Sequence, residues 1–172
     1  ADLGLNRDKL IEKKAIEVGN IFSLGHRFSE PFGLKYKDEN GESQLVFMGS
    51  YGIGISRLMG TIVETHHDEK GMIWPEAVAP FKVHLLSLNQ NEKAQEIYDA
   101  LTRSGVEVLF DDRDVNPGVK FADADLVGMP FQVIVSEKNM RDNKVEVKNR
   151  KSGAVEYLPL DSSEIVKYFQ NS

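Results

Sequence analysis

An α/β fold is expected, with an α+β arrangement in the first part of the chain. From Pro80 onward, short apolar strand patterns alternate with helical ones, which predicts a mixed-direction α/β sheet. Before that point, short apolar stretches separated by turn residues describe an antiparallel sheet flanked by a helix. Between the two lies Trp74-Pro75-Glu76-Ala77-Val78-Ala79-Pro80, whose two prolines and weak periodicity suit an ordered connector. The domains are therefore expected at residues 1–78 and 79–172.

The first part opens on residues 3–16, which mix apolar and charged side chains and read as a short segment. Val18 to Leu24, Phe32 to Tyr36 and Leu45 to Phe47 follow as strands, with Asp38-Glu39-Asn40-Gly41 turning a hairpin. Met48-Gly49-Ser50-Tyr51-Gly52-Ile53-Gly54-Ile55-Ser56-Arg57 reads as a glycine-rich turn that sets Arg57 in the first turns of a helix. Ile55, Leu58, Met59, Ile62 and Val63 recur at helical spacing, so one face of residues 54–66 is expected to be buried against the sheet. His66-His67-Asp68 reads as the end of that helix, where cationic character complements the dipole.

In the second part, Val83 to Leu88 reads as a buried strand, Asn91 to Ser104 as a helix and Val106 to Phe110 as a strand, with Gly105 as the helix stop. Asn89-Gln90-Asn91 offers an N-cap. Phe121 to Val127 reads as a helix and Phe131 to Val135 as a strand. Lys144 to Asn149 and Val155 to Leu158 form a hairpin around Lys151-Ser152-Gly153, and a final helix follows Asp161.

With 41% hydrophobic residues the chain can bury a real core. Its 27 acidic and 21 basic side chains leave a formal charge of −6, so any RNA contact must come from a local patch rather than bulk charge. The absence of cysteine excludes disulfides and thiolate metal sites and fits a reducing, cytoplasmic setting. Neither a membrane-spanning apolar run nor a signal-peptide pattern is present, so a soluble protein without a membrane partner is expected.

The chemistry points to the glycine run. Gly49, Gly52 and Gly54 remove the Cβ atoms that keep a backbone away from a flat base, and Arg57 adds a permanent charge suited to phosphate. The third glycine of a dinucleotide fingerprint is missing, and no Gly-Lys-Ser/Thr of a P-loop occurs. His26, His66, His67 and His84 lack the spacing of a zinc site, and no metal ligands are assigned.

Ile16-Glu17-Val18-Gly19-Asn20-Ile21-Phe22-Ser23-Leu24-Gly25 precedes that run, together with Phe28-Ser29-Glu30-Pro31. The Trp74-to-Pro80 connector comes after it, and then Asp111-Asp112-Arg113-Asp114-Val115-Asn116-Pro117-Gly118-Val119-Lys120-Phe121-Ala122-Asp123-Ala124-Asp125-Leu126-Val127-Gly128-Met129-Pro130. In this order the motifs resemble the C-terminal part of a bacterial-type prolyl-tRNA synthetase, a class II aminoacyl-tRNA synthetase, over nearly the whole chain.

The resemblance implies that residues 1–78 end an antiparallel class II catalytic sheet and that residues 79–172 form a mixed-sheet α/β anticodon-binding domain. The implied activity joins proline to tRNA(Pro) through a prolyl-adenylate. ATP is a substrate there, magnesium is expected with it, and there is no permanent cofactor. Gly49, Gly52 and Gly54 would line the adenine pocket. Arg57, as the arginine of the third class II motif, would hold the γ-phosphate. Ser50 stands where many relatives carry cysteine beside the proline ring, and Asn20 where the pattern usually has histidine. An amide at that place hydrogen-bonds but carries no titrating charge.

Asp112, Arg113 and Lys120 match polar positions that the family uses to read the anticodon, whose unstacked bases offer their edges to such groups. Phe121 reads as core rather than as a stacking platform. The same resemblance implies a homodimeric parent that binds no DNA, with its first and second class II motifs upstream of Ala1. The chain alone is therefore expected to be unable to make prolyl-adenylate. Two other classes remain open: a non-catalytic tRNA-binding or accessory protein that reuses the synthetase body, and a small-molecule-binding α/β domain unrelated to tRNA.

Overall fold

A computed structural model describes Asp8 and residues 10–171, so residues 3–7 and 9 of the N-terminal segment lie outside the described residues. The chain divides into two compact units, residues 1–61 and 62–172.

In the first unit, β1 (Gly19–Gly25) is followed by β2 (Lys35–Lys37), β3 (Ser43–Leu45) and β4 (Met48–Ile53), and α1 (Ile55–Thr65) begins there. β1 and β4 form an antiparallel pair, with Asn20 opposite Gly52 and Phe22 opposite Ser50. β2 and β3 form a separate hairpin, so the expected antiparallel sheet is present as two-stranded ladders. Asp38 builds the hairpin turn: its Oδ1 accepts from the amides of Asn40 and Glu42 at 3.0 and 2.9 Å, and Gly41 takes a φ of +79°.

Two expectations fail here. The glycine run is a strand rather than a turn up to Ile53, and none of Gly49, Gly52 and Gly54 has a positive φ. Absence of Cβ, not conformational freedom, is what this strand uses: a Cβ on Gly19 would stand 2.8 Å from the Gly52 carbonyl oxygen. The expected buried face of α1 is also absent, since none of its residues is buried and Ile55 is 77% exposed. A two-stranded ladder offers too little surface to cover an amphipathic helix.

The second compact unit begins inside α1, because the segment after α1 packs on residues 79–172. α1 ends at Thr65, and His67 then enters a miniature hairpin of β5 (His67–Asp68) and β6 (Gly71–Met72). The His67 ring still serves the helix end, its Nδ1 donating to the Val63 carbonyl at 2.9 Å. A 3-10 turn at Glu76–Val78 interrupts the connector.

The main sheet uses β7 (Val83–Leu88), β8 (Val108–Asp111), β9 (Phe131–Ser136), β10 (Lys144–Asn149) and β11 (Val155–Pro159). The helices are α2 (Asn91–Arg103), α3 (Pro117–Val127), α4 (Glu137–Arg141) and α5 (Ser162–Asn171). Strand order is β11-β10-β9-β7-β8; β7 runs parallel to β8 and β9, while β10 is antiparallel to β9 and β11. The mixed sheet matches the expected class.

Strand pleat divides the core. Val83, Leu85, Val133 and Val135 meet Ile97 and Leu101 of α2 and Ile165 and Phe169 of α5 on one face. Leu86 and Ile134 meet Ala124 of α3 on the other, with Phe121 packed beside them as core. α3 starts at Pro117 rather than Phe121, because the Asn116 side chain accepts from the Gly118 amide at 2.8 Å and proline suits a first helical residue. The Asn89-Gln90-Asn91 cap is not used as expected: Gln90 makes no side-chain cap bond. Its amide instead donates to Ser87 Oγ at 3.1 Å.

The β5–β6 hairpin is held on α3 by two glycines and an ion pair. Gly128 ends α3 with a φ of +73°, and a Cβ there would stand 1.9 Å from the Met72 carbonyl oxygen. At Gly71, a Cβ would stand 2.3 Å from Leu126 Cα. Arg150 grips Asp68 with Nη1 and Nη2 at 2.6 and 2.7 Å. That fork holds the Asp68 carboxyl well below the usual carboxylate range. Burial pushes the Asp125 carboxyl up, but hydrogen bonds from Gln132 and Lys148 and the Arg150 charge outweigh it, and the net shift is downward.

Gly128→Ala combines left-handed strain with a backbone collision, whereas a Cβ at Gly153, where φ is +70°, would have no neighbour within 4 Å and meets strain alone. Chemical denaturation is expected to give a loss of about 1–3 kcal/mol for Gly153→Ala and a larger one for Gly128→Ala. The depressed carboxyls of Asp68 and Asp125 stabilise the fold above their unfolded values near about 4, and that stabilisation is lost as pH falls through the folded values. Urea midpoints are expected to stay level near neutrality and fall below about pH 4. Asp68→Asn should give a lower midpoint at neutral pH and a shallower acid limb.

Candidate functional site

In the first unit, the end of β4 delivers its backbone to the start of α1, and the Gly54 amide donates to the Val18 carbonyl at 2.9 Å. This closes a concave site of about 200 Å³ lined by Glu17, Gly19, Asn20, Gly52, Gly54 and Arg57, among others. Asn20 and Gly52 face each other across the ladder, and a Cβ on Gly52 would approach the Asn20 amide oxygen to 3.1 Å. Arg57 Nη1 donates to the Glu17 carbonyl at 2.7 Å and stands 3.7 Å from the Glu17 carboxylate. The Asn20 amide donates to that same carboxylate at 3.2 Å. Glu17 thus holds both candidate residues through groups that an incoming anion would replace on the guanidinium.

Four of the six residues expected here share the cavity; Gly49 and Ser50 do not line it. Gly49 lies one pleat out of phase with Gly52, so it belongs to the other face of the ladder. Ser50 shares the face of Gly52 but sits farther along β4, opposite Phe22. Glu17 stands in the sequence motif without an expected role, and its carbonyl contact across 40 positions leaves no local signature.

In the second unit the carboxyl ends of the parallel strands β7 and β8 lie side by side, which is where open α/β sheets place their ligands. The ends of the two strands are tied together from beneath by Lys120. Its ammonium donates to the Ser87 carbonyl at 2.6 Å and the Asp111 carbonyl at 3.2 Å, with the Asp111 carboxylate 3.8 Å away. Lys120 is 1% exposed, so its charge shapes the site and does not face solvent.

Above it, Arg113 takes Asp111 in a two-pronged grip, Nε at 2.9 Å and Nη2 at 2.7 Å, and extends Nη2 to Asp123 at 2.8 Å. Both partners raise the guanidinium's proton affinity, and the Arg113 hydrogen bonds hold the Asp111 carboxyl low despite burial. Asp111 is therefore a buried member of an ion pair. Asp112 is exposed, and its carbonyl receives the Asn91 amide at 3.2 Å. A concavity of about 680 Å³ opens here, lined by Asn89, Asn91, Lys93, Glu96, Arg113 and Met140 with their neighbours.

Of the three residues expected to read RNA, Asp112 and Arg113 are exposed and Lys120 is the buried support of the loop that carries them. Sequence reasoning missed Asn91 and Asp123. Asp123 stands ten positions from Arg113 on α3, and knowing that α3 faces this loop was needed to pair them. His84 was also missed: it is buried, its Nδ1 has no hydrogen-bond partner, and burial pushes its pKa down, which leaves a neutral ring beside the Asp111–Arg113 seam. Among the described residues, no three His, Cys, Asp or Glu side chains gather as a metal site, and no helix is long and apolar enough to cross a membrane.

Comparison with known sequences assigns both halves. The family described as "tRNA synthetase class II core domain (G, H, P, S and T)" matches residues 9–66, and the family described as "Anticodon binding domain" matches residues 77–172. The proline–tRNA ligase of Bacillus pumilus is 49% identical over 92% of this chain, and that of Persephonella marina is 45% identical over 88%. In each case the chain spans 28% of the relative's length. A crystal structure of prolyl-tRNA synthetase from Cryptosporidium parvum, complexed with L-proline and AMP, superimposes with a TM-score of 0.72 at 26% identity. The match covers 90% of this chain and 34% of that one. Residues 77–172 are more than half of the chain, which therefore belongs to the anticodon-binding domain family, with residues 9–66 matching the class II core family.

Proposed function

We propose that this chain supplies part of the ATP and proline site and the anticodon-recognition domain of an enzyme that activates proline and transfers it to tRNA(Pro). The observation that carries the reading is the exposed Asp112–Arg113 pair. It is mounted on the buried Lys120–Asp111 base at the carboxyl ends of β7 and β8, within residues that match an anticodon-binding family. In this role Asp112 accepts from a guanine edge, and Arg113 exchanges an aspartate for a base edge or phosphate. Lys120 keeps the two strand ends at fixed spacing while this happens.

In the first unit, Gly52 and Gly54 admit the adenine and Arg57 receives the γ-phosphate of a bent ATP, exchanging the Glu17 carbonyl for charge-assisted bonds. Asn20 faces the proline site across the ladder, with Ser50 on the same face and Gly49 on the other. Proline's carboxylate oxygen attacks the α-phosphorus and pyrophosphate leaves. A terminal ribose hydroxyl of the tRNA then takes the prolyl group, releasing AMP. Arg57 stabilises negative charge that grows on the departing phosphates. Magnesium enters as the partner of ATP: among the described residues Glu17 is the only carboxylate lining this cavity, so the residues present build no protein cage for the metal. The full-length enzyme is taken as a cytoplasmic homodimer with no membrane or DNA partner, its catalytic body ending near residue 78.

Titration of the chain with a proline-tRNA anticodon stem-loop, at fixed salt, tests the recognition half. The intact loop is expected to bind better than one whose two family-recognised guanines are replaced, and Arg113→Ala should weaken it about tenfold, as loss of a directional base contact does. Lys120→Met should chiefly lower the midpoint of unfolding, because it removes the buried hydrogen bonds to the Ser87 and Asp111 carbonyls and the cation beside the Asp111 carboxylate. Equal binding of both loops by the folded chain would contradict the assignment.

A further inference from the structure

Asp123 and Asp125 stand two positions apart on α3 and serve different neighbourhoods. Asp123 pairs with Arg113 at 2.8 Å, beside the candidate recognition loop. Asp125 receives Gln132 at 2.8 Å and Lys148 at 3.0 Å, and its carbonyl receives Arg150 through Nε at 3.2 Å and Nη2 at 3.1 Å. Arg150 is 5% exposed and uses the rest of its fork on Asp68. Asp68 Oδ1 also accepts from the amides of Lys70 and Gly71, at 2.8 and 3.1 Å, and so fixes the tip of the β5–β6 hairpin. The Trp74 amide adds a bond to the Gly128 carbonyl at 3.0 Å.

α3 is thus held at both ends by buried cations. Lys120 ties its first half to the ends of β7 and β8, and Arg150 ties its last turn to the hairpin that comes after α1. A helix of 11 residues spans about 16 Å and moves as one body on the scale of a hydrogen bond. With the Asp68 end of the clamp released, the last turn keeps Gln132, Lys148 and the packing of Ala124 on Leu86 and Ile134 but loses its tie to the hairpin, and a small tilt about Lys120 displaces Asp123 from Arg113.

We propose that Asp68 and Arg150 are positioning residues for the recognition loop, acting through α3, so that the hairpin outside the anticodon-binding match sets how Arg113 is presented. The proposal rests on the recognition role of Arg113 for its consequence, but its mechanical part can be read without RNA. A purely structural clamp and a positioning clamp differ in where the effect of breaking it is felt.

Hydrogen exchange of the whole chain, free of RNA, is measured for Asp68→Asn and for the milder Arg150→Lys. Faster exchange is expected in residues 67–72 and also in residues 112–120, with the central amides of β7 and β9 unchanged. Increased exchange confined to the hairpin would overturn the coupling. If Asp68→Asn loosens the whole domain, Arg150→Lys decides by the same criterion, since it keeps a cation in the clamp. The stem-loop titration is then repeated with Asp68→Asn, Asp123→Asn and the double variant. Coupling through α3 predicts a several-fold loss of guanine discrimination in each single variant, and a double-variant loss smaller than the product of the two. Product losses would overturn the route, because independent sites multiply. Failure of the unaltered chain to bind the stem-loop would remove the RNA role of Arg113, while the exchange result would still decide the mechanical coupling.

Discussion

A buried ammonium holds two strand ends together, and the candidate recognition surface depends on it. Parallel strands leave their last carbonyls side by side at one edge of the sheet, where each needs a donor. Lys120 supplies that donor to Ser87 and Asp111 from inside the domain. A charge so deeply buried is tolerated only when it is paired and hydrogen-bonded. Two carbonyls at bonding distance and the nearby Asp111 carboxylate meet that condition. Asp111 then carries a second cation, Arg113, which takes both carboxylate oxygens, while Lys120 stands 3.8 Å from Oδ1, so one carboxylate joins the buried ammonium to the exposed guanidinium. Fixing the inner charge thereby fixes the outer one.

The first unit meets a different constraint. Its candidate site works by close backbone approach: Gly19, Gly52 and Gly54 remove side chains where β1, β4 and the start of α1 converge. Ile21, Tyr51, Ile53 and Ile55 remain largely exposed on these elements, so this unit has little core of its own among the described residues. The second unit has the opposite character, with a sheet covered on both faces and its buried charges, Asp111, Lys120 and Arg150, all paired. Substitutions in the first unit are therefore expected to cost little folding stability, whereas many in the second act on folding.

Much of the second unit was legible because its elements are long enough to show a period. Val83 to Leu88 carries apolar residues on both faces and is buried on both, as suits a central parallel strand, and Ala94, Ile97 and Leu101 repeat at helical spacing. The Asn116-Pro117 start of α3 carried a readable cap that the apolar pattern from Phe121 onward obscured. The β5–β6 hairpin and α4 are too short to show periodicity, and the Asp68–Arg150 pair joins residues 82 positions apart, which no local pattern encodes. Lys120, expected among the RNA-reading residues, is buried instead: lysine is usually exposed, and its burial follows from packing of α3. The glycine run was ambiguous for a related reason: glycine suits turns and crowded strands alike, and the pairing with β1 decided for the strand.

The central claim is that the loop after β8, supported by Lys120, is where RNA is read. Backbone amide chemical shifts of the chain, recorded as the anticodon stem-loop is added, test this most directly. The account predicts the largest changes at residues 87–91 and 111–114, with Asp123 following Arg113. Changes centred instead on β10, β11 or α5, with the loop after β8 unmoved, would contradict it.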